Sequence, residues 1–145
     1  NCKVIFEPGR FIVGNTGVLV TKVQYIKENK NKLFIVLDAG MNDFMRTALY
    51  EAHHEIVPII KNNKKSRKKV EFVGPICETT DKFTLYSNYQ KLSENDFVVL
   101  TNVGAYGSTL SSNYNLKPFA SELIIDKKKV KIIKRRQSLL KLVAN

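Results

Sequence analysis

Along this chain, apolar and polar positions alternate in short runs separated by polar turns. Lys3 to Phe6 is a brief apolar strand that stops at the turn Glu7-Pro8-Gly9-Arg10. Residues 11–16 suit one helical turn before Gly17. From Val18 to Lys27, Leu19, Thr21, Val23 and Tyr25 share one face while Lys22 and Gln24 point the other way, which predicts a half-buried strand. A polar turn over 28–32 leads to the continuous apolar run Leu33–Leu37, and the two strands read as a hairpin. Asp43 to Ala52 is the best helical stretch, with Asn42 placed to cap it. Further strands are predicted at His54–Ile60, Lys69–Ile76, Asp96–Asn102, Glu122–Asp126 and Val130–Lys134, and Arg135–Val143 suits a short closing helix.

Many short strands with polar turns and one or two short helices predict a mainly β chain, a Greek-key-like β-barrel or sandwich. No internal repeat is present, and the only low-complexity segment is the Lys/Asn loop at 61–69. At 145 residues the chain is long enough for one domain with its own core. No apolar run approaches the ~20 residues that span a bilayer, so no membrane partner is expected. The start, Asn1-Cys2-Lys3, has no initiator Met and no signal-peptide pattern, and reads as a chain cut from a longer one.

The net charge of +11 raises nucleic-acid binding, since a basic face gains affinity by releasing counterions from phosphate. Of the 24 basic residues, however, 19 are Lys, and the densest stretches, 62–69 and 127–129, fall where loops or turns belong. No aromatic residue interleaves them as a base-stacking platform requires. Nucleic acid is therefore the weaker reading. The two cysteines, Cys2 and Cys77, form no CxxC and too small a set for a disulfide framework, so a reducing, cytoplasmic compartment is expected. His53-His54-Glu55 lacks a second His at zinc-helix spacing, and no metal is expected.

Four places carry candidate chemistry. In Glu7-Pro8-Gly9-Arg10, the glycine admits close approach of an anion and the arginine suits a phosphate or carboxylate; taken alone, a surface turn with a salt bridge explains it as well. Arg46 and Tyr50 stand four apart on the predicted helix, so a guanidinium and a phenol share one face. Gly74-Pro75-Ile76-Cys77-Glu78-Thr79-Thr80-Asp81 sets a thiol and two carboxylates after an apolar strand, although a lone Cys is by default a small buried side chain. Gly104-Ala105-Tyr106-Gly107 brackets a tyrosine with glycines that leave room for a ligand near the backbone. This loop and Gly14-Asn15-Thr16-Gly17 also fit a GxxG clamp, but neither lies between two helices as a KH domain requires.

Together, EPGR, MNDFMRTALY, GPICETTD, NVGAYG, YNLKPF and IIKRRQS, in this order over nearly the whole chain, resemble the second half of the alanine-racemase-like, pyridoxal-phosphate-dependent decarboxylases. The Arg46/Tyr50 pair and the Cys-Glu-x-x-Asp motif resemble the diaminopimelate branch of that family. Thr47, Thr79 and Phe119 depart from the common pattern, where Pro, Ser and a basic residue are usual, and none removes a reacting group.

The resemblance implies that residues 1–16 end an N-terminal β/α barrel and that 17–145 form the C-terminal β-barrel domain. The rest of that barrel, with the lysine that bonds the cofactor, lies outside this chain. It implies pyridoxal 5'-phosphate as cofactor, contacted by Glu7, Pro8, Gly9, Arg10 and Tyr106, with Glu7 facing the pyridine nitrogen. Arg10, Arg46, Tyr50, Glu78 and Tyr106 would contact meso-diaminopimelate, and Cys77 would act as general acid. Cys77 and Glu78 would serve the neighbouring subunit of a homodimer. Lysine and carbon dioxide would be the products, with the 145-residue chain inactive alone. The rival classes are a non-catalytic binding remnant and a basic nucleic-acid module.

Overall fold

The computed structural model describes residues 1–144. After an irregular, exposed start, a short helix α1 (Arg10–Val13) and a 3₁₀ turn (Gly14–Thr16) lead into the sheet strands. These are β1 (Leu19–Glu28), β2 (Lys32–Leu37), β3 (Ile56–Pro58), β4 (Lys69–Val73), β5 (Lys82–Tyr86) and β6 (Phe97–Leu100). They form a six-stranded sheet in the order β3-β6-β1-β2-β4-β5. All neighbours run antiparallel except β2 and β4, which are parallel. A helix α2 (Arg46–Tyr50) interrupts the strand series, a two-stranded ribbon of β7 (Glu122–Asp126) and β8 (Lys129–Lys134) follows it, and α3 (Leu139–Val143) ends the chain. The architecture is mainly β, as the alternation predicts.

The sheet buries one continuous apolar cluster: Val23, Ile35, Leu37, Phe44, Ile56, Val70, Phe72, Val98 and Leu100 are almost inaccessible. Each such side chain contributes about 1.5–3 kcal/mol by leaving water. The sheet curls until its two edge strands face each other, but no backbone ladder joins them. Tyrosines do. Ile56 N–H donates to the Tyr86 hydroxyl at 2.8 Å, and the Tyr89 hydroxyl donates to Ile56 O at 3.0 Å. Both rings pack edge-on against Phe72.

Several elements differ from the sequence-based expectation, each for a local reason. Lys3–Phe6 pairs with no strand among the described residues and is exposed, because an apolar run becomes a strand only beside a partner ladder. On β1, Thr21 and Val23 are buried, but Tyr25 is 57% exposed. A bulge explains this: Val23 opposes Leu37 and Tyr25 opposes Val36, so Gln24 is inserted and the inward face passes to Ile26. The hairpin itself is as expected.

The expected helix from Asp43 to Ala52 shrinks to Arg46–Tyr50, and Met45 rather than Asn42 occupies the cap position. Gly40 and Asp43 make a tight turn instead, with Gly40 N–H donating to Asp43 Oδ2 at 3.0 Å and Phe44 N–H to Gly40 O at 3.1 Å. That turn drives Phe44 into the core, and a regular helix from residue 43 would forgo this burial. Glu51, in the left-handed conformation at φ 51°, ends the helix. The closing helix is likewise shorter than expected and starts at Ser138, whose hydroxyl accepts from Lys141 N–H at 3.2 Å. β5 is a strand that the alternation reading did not predict. In the ribbon, Leu123, Ile125, Val130 and Ile132 remain more than half exposed. Among the described residues no helix is long and apolar enough to cross a membrane.

Candidate functional site

The turn after α1 and the loop that follows β6 meet backbone to backbone. Val103 N–H donates to Gly17 O at 3.0 Å and Gly104 N–H to Gly14 O at 2.9 Å. A Cβ on Gly104 would lie 2.0 Å from Val13 O, so only glycine permits this approach. The junction fixes Tyr106, which adopts a left-handed backbone at φ 60°. For a non-glycine residue that conformation costs roughly 1–3 kcal/mol and is found where surrounding structure imposes it. Its phenol reaches the EPGR turn: a Cβ on Gly9 would stand 3.1 Å from Tyr106 Oη. Arg10 is drawn to the same place, its Nη2 donating to Asn102 O at 2.9 Å.

Helix α2 supplies the third side. The Arg46 guanidinium lies 5.5 Å from the Tyr50 ring centroid and 5.9 Å from that of Tyr106, within cation–π range of both. Thus Gly9, Arg10, Arg46, Tyr50 and Tyr106, scattered over 98 positions, form one neighbourhood. Glu7 and Pro8 are exposed at its edge, and Glu7 joins no ion pair among the described residues.

Two donors here are unspent. Arg10 Nε and Arg46 Nε are both buried without a hydrogen-bond partner. Guanidinium stays charged at any physiological pH, so each buried N–H calls for an acceptor. A phosphate or a carboxylate is the acceptor that matches a planar fork. The residues present therefore fit an anionic cofactor and an anionic substrate.

His54 backs this neighbourhood. It is 2% exposed, packs edge-on to Phe44 at 4.6 Å, and bonds Thr101 O through Nδ1 at 2.9 Å. A carbonyl partner requires the proton on Nδ1, which leaves Nε2 as a buried acceptor without a partner. Burial depresses its pKa below the usual histidine value, and the charges of Arg10 and Arg46 push the same way. His54 is a neutral structural imidazole beside the two arginines.

The thiol-bearing loop forms a second, separate cluster. Asp81 is buried and accepts from Met41 N–H at 2.7 Å and Ile76 N–H at 2.6 Å. Burial raises its pKa, and these two hydrogen bonds oppose the rise. The second carboxylate of the motif is therefore a clamp that holds the loop on the turn at residue 41. Glu78 N–H donates to Ile76 O at 2.8 Å and Asp81 N–H to Glu78 O at 3.1 Å, closing a tight turn that presents Cys77 and Glu78 to solvent. Among the described residues no ion pair joins Glu78 to either arginine. Its partner is Tyr114, whose hydroxyl donates to Glu78 Oε1. Tyr114 lies within the YNLKPF motif, yet residue type alone gave it no role.

The sheet and the sequence both have counterparts among known proteins. The family model for the C-terminal sheet domain of pyridoxal-dependent decarboxylases matches residues 10–104. Diaminopimelate decarboxylase of Aquifex aeolicus is 43% identical over 138 residues, which cover 94% of this chain and 32% of that protein. The enzyme of Haemophilus influenzae is 41% identical over 142 residues, covering 98% and 34%. Among solved structures, diaminopimelate decarboxylase from Helicobacter pylori complexed with L-lysine superposes with a TM-score of 0.85 at 40% identity, covering 94% of this chain and 33% of that one. The enzyme from M. jannaschii in co-complex with L-lysine gives 0.89 at 37% identity, covering 95% and 31%. The chain spans about a third of the length of the relatives it matches. By its motifs, its sheet and these matches, the chain belongs to the pyridoxal-dependent decarboxylases, whose C-terminal sheet domain it carries.

Proposed function

We propose that this chain supplies the C-terminal part of the active site of a diaminopimelate decarboxylase, which converts meso-diaminopimelate to L-lysine and carbon dioxide. The observation that carries the reading is Arg46, set between Tyr50 and Tyr106 with a buried, unpartnered Nε–H. The relatives of matching sequence bear that enzyme's name.

Gly9 and Arg10 would hold the phosphate of pyridoxal 5'-phosphate, Glu7 its pyridine nitrogen and Tyr106 its face, with Pro8 keeping the turn rigid. When bound, the cofactor supplies an electron sink for the pair left on the substrate Cα as carbon dioxide departs. Arg46 and Tyr50 take the distal carboxylate, and Glu78 takes the distal ammonium. Arg10 and Tyr106 also contact the substrate. The distal end of meso-diaminopimelate is itself an amino acid, so one cationic and one anionic side chain discriminate it from a simple diamine. The Cys77 thiol gives its proton to Cα after decarboxylation.

Among the described residues no hydrogen bond or ion pair joins the exposed Cys77–Glu78 turn to Arg46, which supports a homodimer in which the turn completes the neighbouring subunit's site. Residues 1–16 would finish the β/α barrel, and 17–145 form the domain that closes the site. A cytoplasmic location is part of the same proposal, supported by the two free cysteines, which suit a reducing compartment.

The complete enzyme containing this chain is the material for the test. Supplied with pyridoxal phosphate, it should release carbon dioxide from meso-diaminopimelate and yield L-lysine, while the 145-residue chain should do neither. Absence of lysine from the complete enzyme, or release by the chain alone, would overturn the reading.

A further inference from the structure

We infer that Tyr114 is a positioning residue for Glu78: its hydroxyl holds one carboxylate oxygen so that the other faces the substrate's distal ammonium. The inference rests on the role proposed above for Glu78, and the Tyr114 contact itself stands on geometry.

Glu78 projects from an exposed turn, and an unrestrained Glu there would sample many rotamers. Tyr114 supplies the restraint by donating to Oε1. Being half exposed, the phenol is not placed there to fill the core. The hydrogen bond to Glu78, and after it the charge of that carboxylate, raises the Tyr114 pKa, so the phenol remains a donor. A carboxylate bonded at one oxygen keeps acceptor capacity at the other, which is what an ammonium requires.

The two partners are anchored to the same element. Met41 N–H holds Asp81 of the Cys77–Glu78 loop at 2.7 Å, and Asn42 O accepts Ser112 N–H, just before Tyr114, at 2.9 Å. From the other side Asn113 Nδ2 donates to Gln137 Oε1 at 2.6 Å and to Lys117 O at 2.8 Å. Directly after Tyr114, Asn115 and Leu116 are both left-handed, at φ 54° and 55°. Leucine in that conformation is strained, and the strain persists because the flanking hydrogen bonds impose it. A turn carrying Glu78 and a turn carrying Tyr114, both tied to residues 41–42, form a preset pair. The same residues lead into the helix that carries Arg46, so the Glu78 turn and the Arg46 helix of one chain share one base, although in the proposed dimer they serve different sites.

The test uses the holoenzyme and Tyr114→Phe, which keeps the ring and removes the donor. Calorimetry would measure binding of L-lysine, which carries a distal ammonium, and of 2-aminopimelate, which ends in a carboxylate with no ammonium. The variant should weaken lysine by about five- to tenfold and leave 2-aminopimelate within about twofold. In a Glu78→Gln background the second substitution should add nothing to the loss for lysine. Equal weakening of both ligands would show a general structural role and overturn the inference, as would unchanged lysine binding. A wild-type holoenzyme that binds neither ligand would instead overturn the diaminopimelate reading beneath it.

Discussion

The two halves of the candidate site are built in opposite ways. Gly9, Arg10, Arg46, Tyr50 and Tyr106 come from three distant segments; backbone contacts through Gly17 and Gly104 weld the first to the last, and Arg46 reaches the Tyr106 ring from α2. Their arginines present buried donors inward. Cys77 and Glu78 are adjacent in sequence, stand on one exposed turn, and depend on a buried carboxylate behind them and a single phenol beside them. The first half is a wall assembled from distant parts of one chain. The second is a projection, exposed to solvent. In the proposed homodimer one domain would carry both a receiving surface and a donated one.

The strongest way to break this contrast is to separate the two halves. Cys77→Ala in the complete enzyme should lower kcat by about 10²- to 10⁴-fold with little change in KM, because a general acid acts after binding. Random reassociation of that variant with one lacking the cofactor lysine should recover up to about a quarter of wild-type activity, since about half the dimers are mixed and each mixed dimer has one competent site of two. If mass-verified mixed dimers stay inactive, the projection serves its own subunit.

Arg46→Ala tests the receiving wall. Loss of a charge-assisted clamp costs roughly 2–5 kcal/mol, expressed mainly in KM for diaminopimelate. Arg46→Lys should recover only part of it, since the planar fork is gone. Steady-state kinetics with both constants unchanged would remove α2 from the site.

The smallest effect concerns the dryness of the wall. His54 has a folded-state pKa below its ordinary 6.5, so the unfolded chain takes up its proton first as pH falls. Its contribution to stability is complete above about pH 6.5 and is lost as pH drops toward the depressed folded value. Melting temperature should fall between pH 7 and pH 5, roughly in that window. His54→Asn, which keeps a donor for Thr101 O, should flatten part of that fall. An identical pH profile for the variant would mean that water already reaches His54.

Much of this is legible in the sequence, and the remainder has identifiable physical causes. The β1–β2 hairpin follows from alternation at Thr21 and Val23 and the apolar run after it, because a half-buried strand writes its period directly into the chain. The bulge at Gln24 does not, since an inserted residue changes which face is inward without changing composition. The reading of α2 from residue 43 is too long because the burial of Phe44, which delays the start of the helix to Arg46, is a tertiary contact with no local mark. Arg46, Tyr50, Cys77 and Glu78 were readable as motif residues. Asp81 shares their motif but is spent on the backbone of residues 41 and 76, and only its 4% exposure separates clamp from site. Tyr114 was missed for the opposite reason: its partner is 36 residues away, beyond any spacing rule.

The seam between the two edge strands also guards the chain against adding strands from other molecules. An open sheet edge is a template, since its free N–H and C=O groups recruit strands from other molecules. At Ile56 both groups face outward, and Tyr86 and Tyr89 occupy them with phenols that cannot propagate a ladder. Two hydroxyls thus blunt the edge at Ile56, where a seventh strand from a foreign chain would otherwise begin to add. Phenylalanine at both positions would keep the packing against Phe72 and strip that cover, leaving a folded domain with an edge ready for self-association.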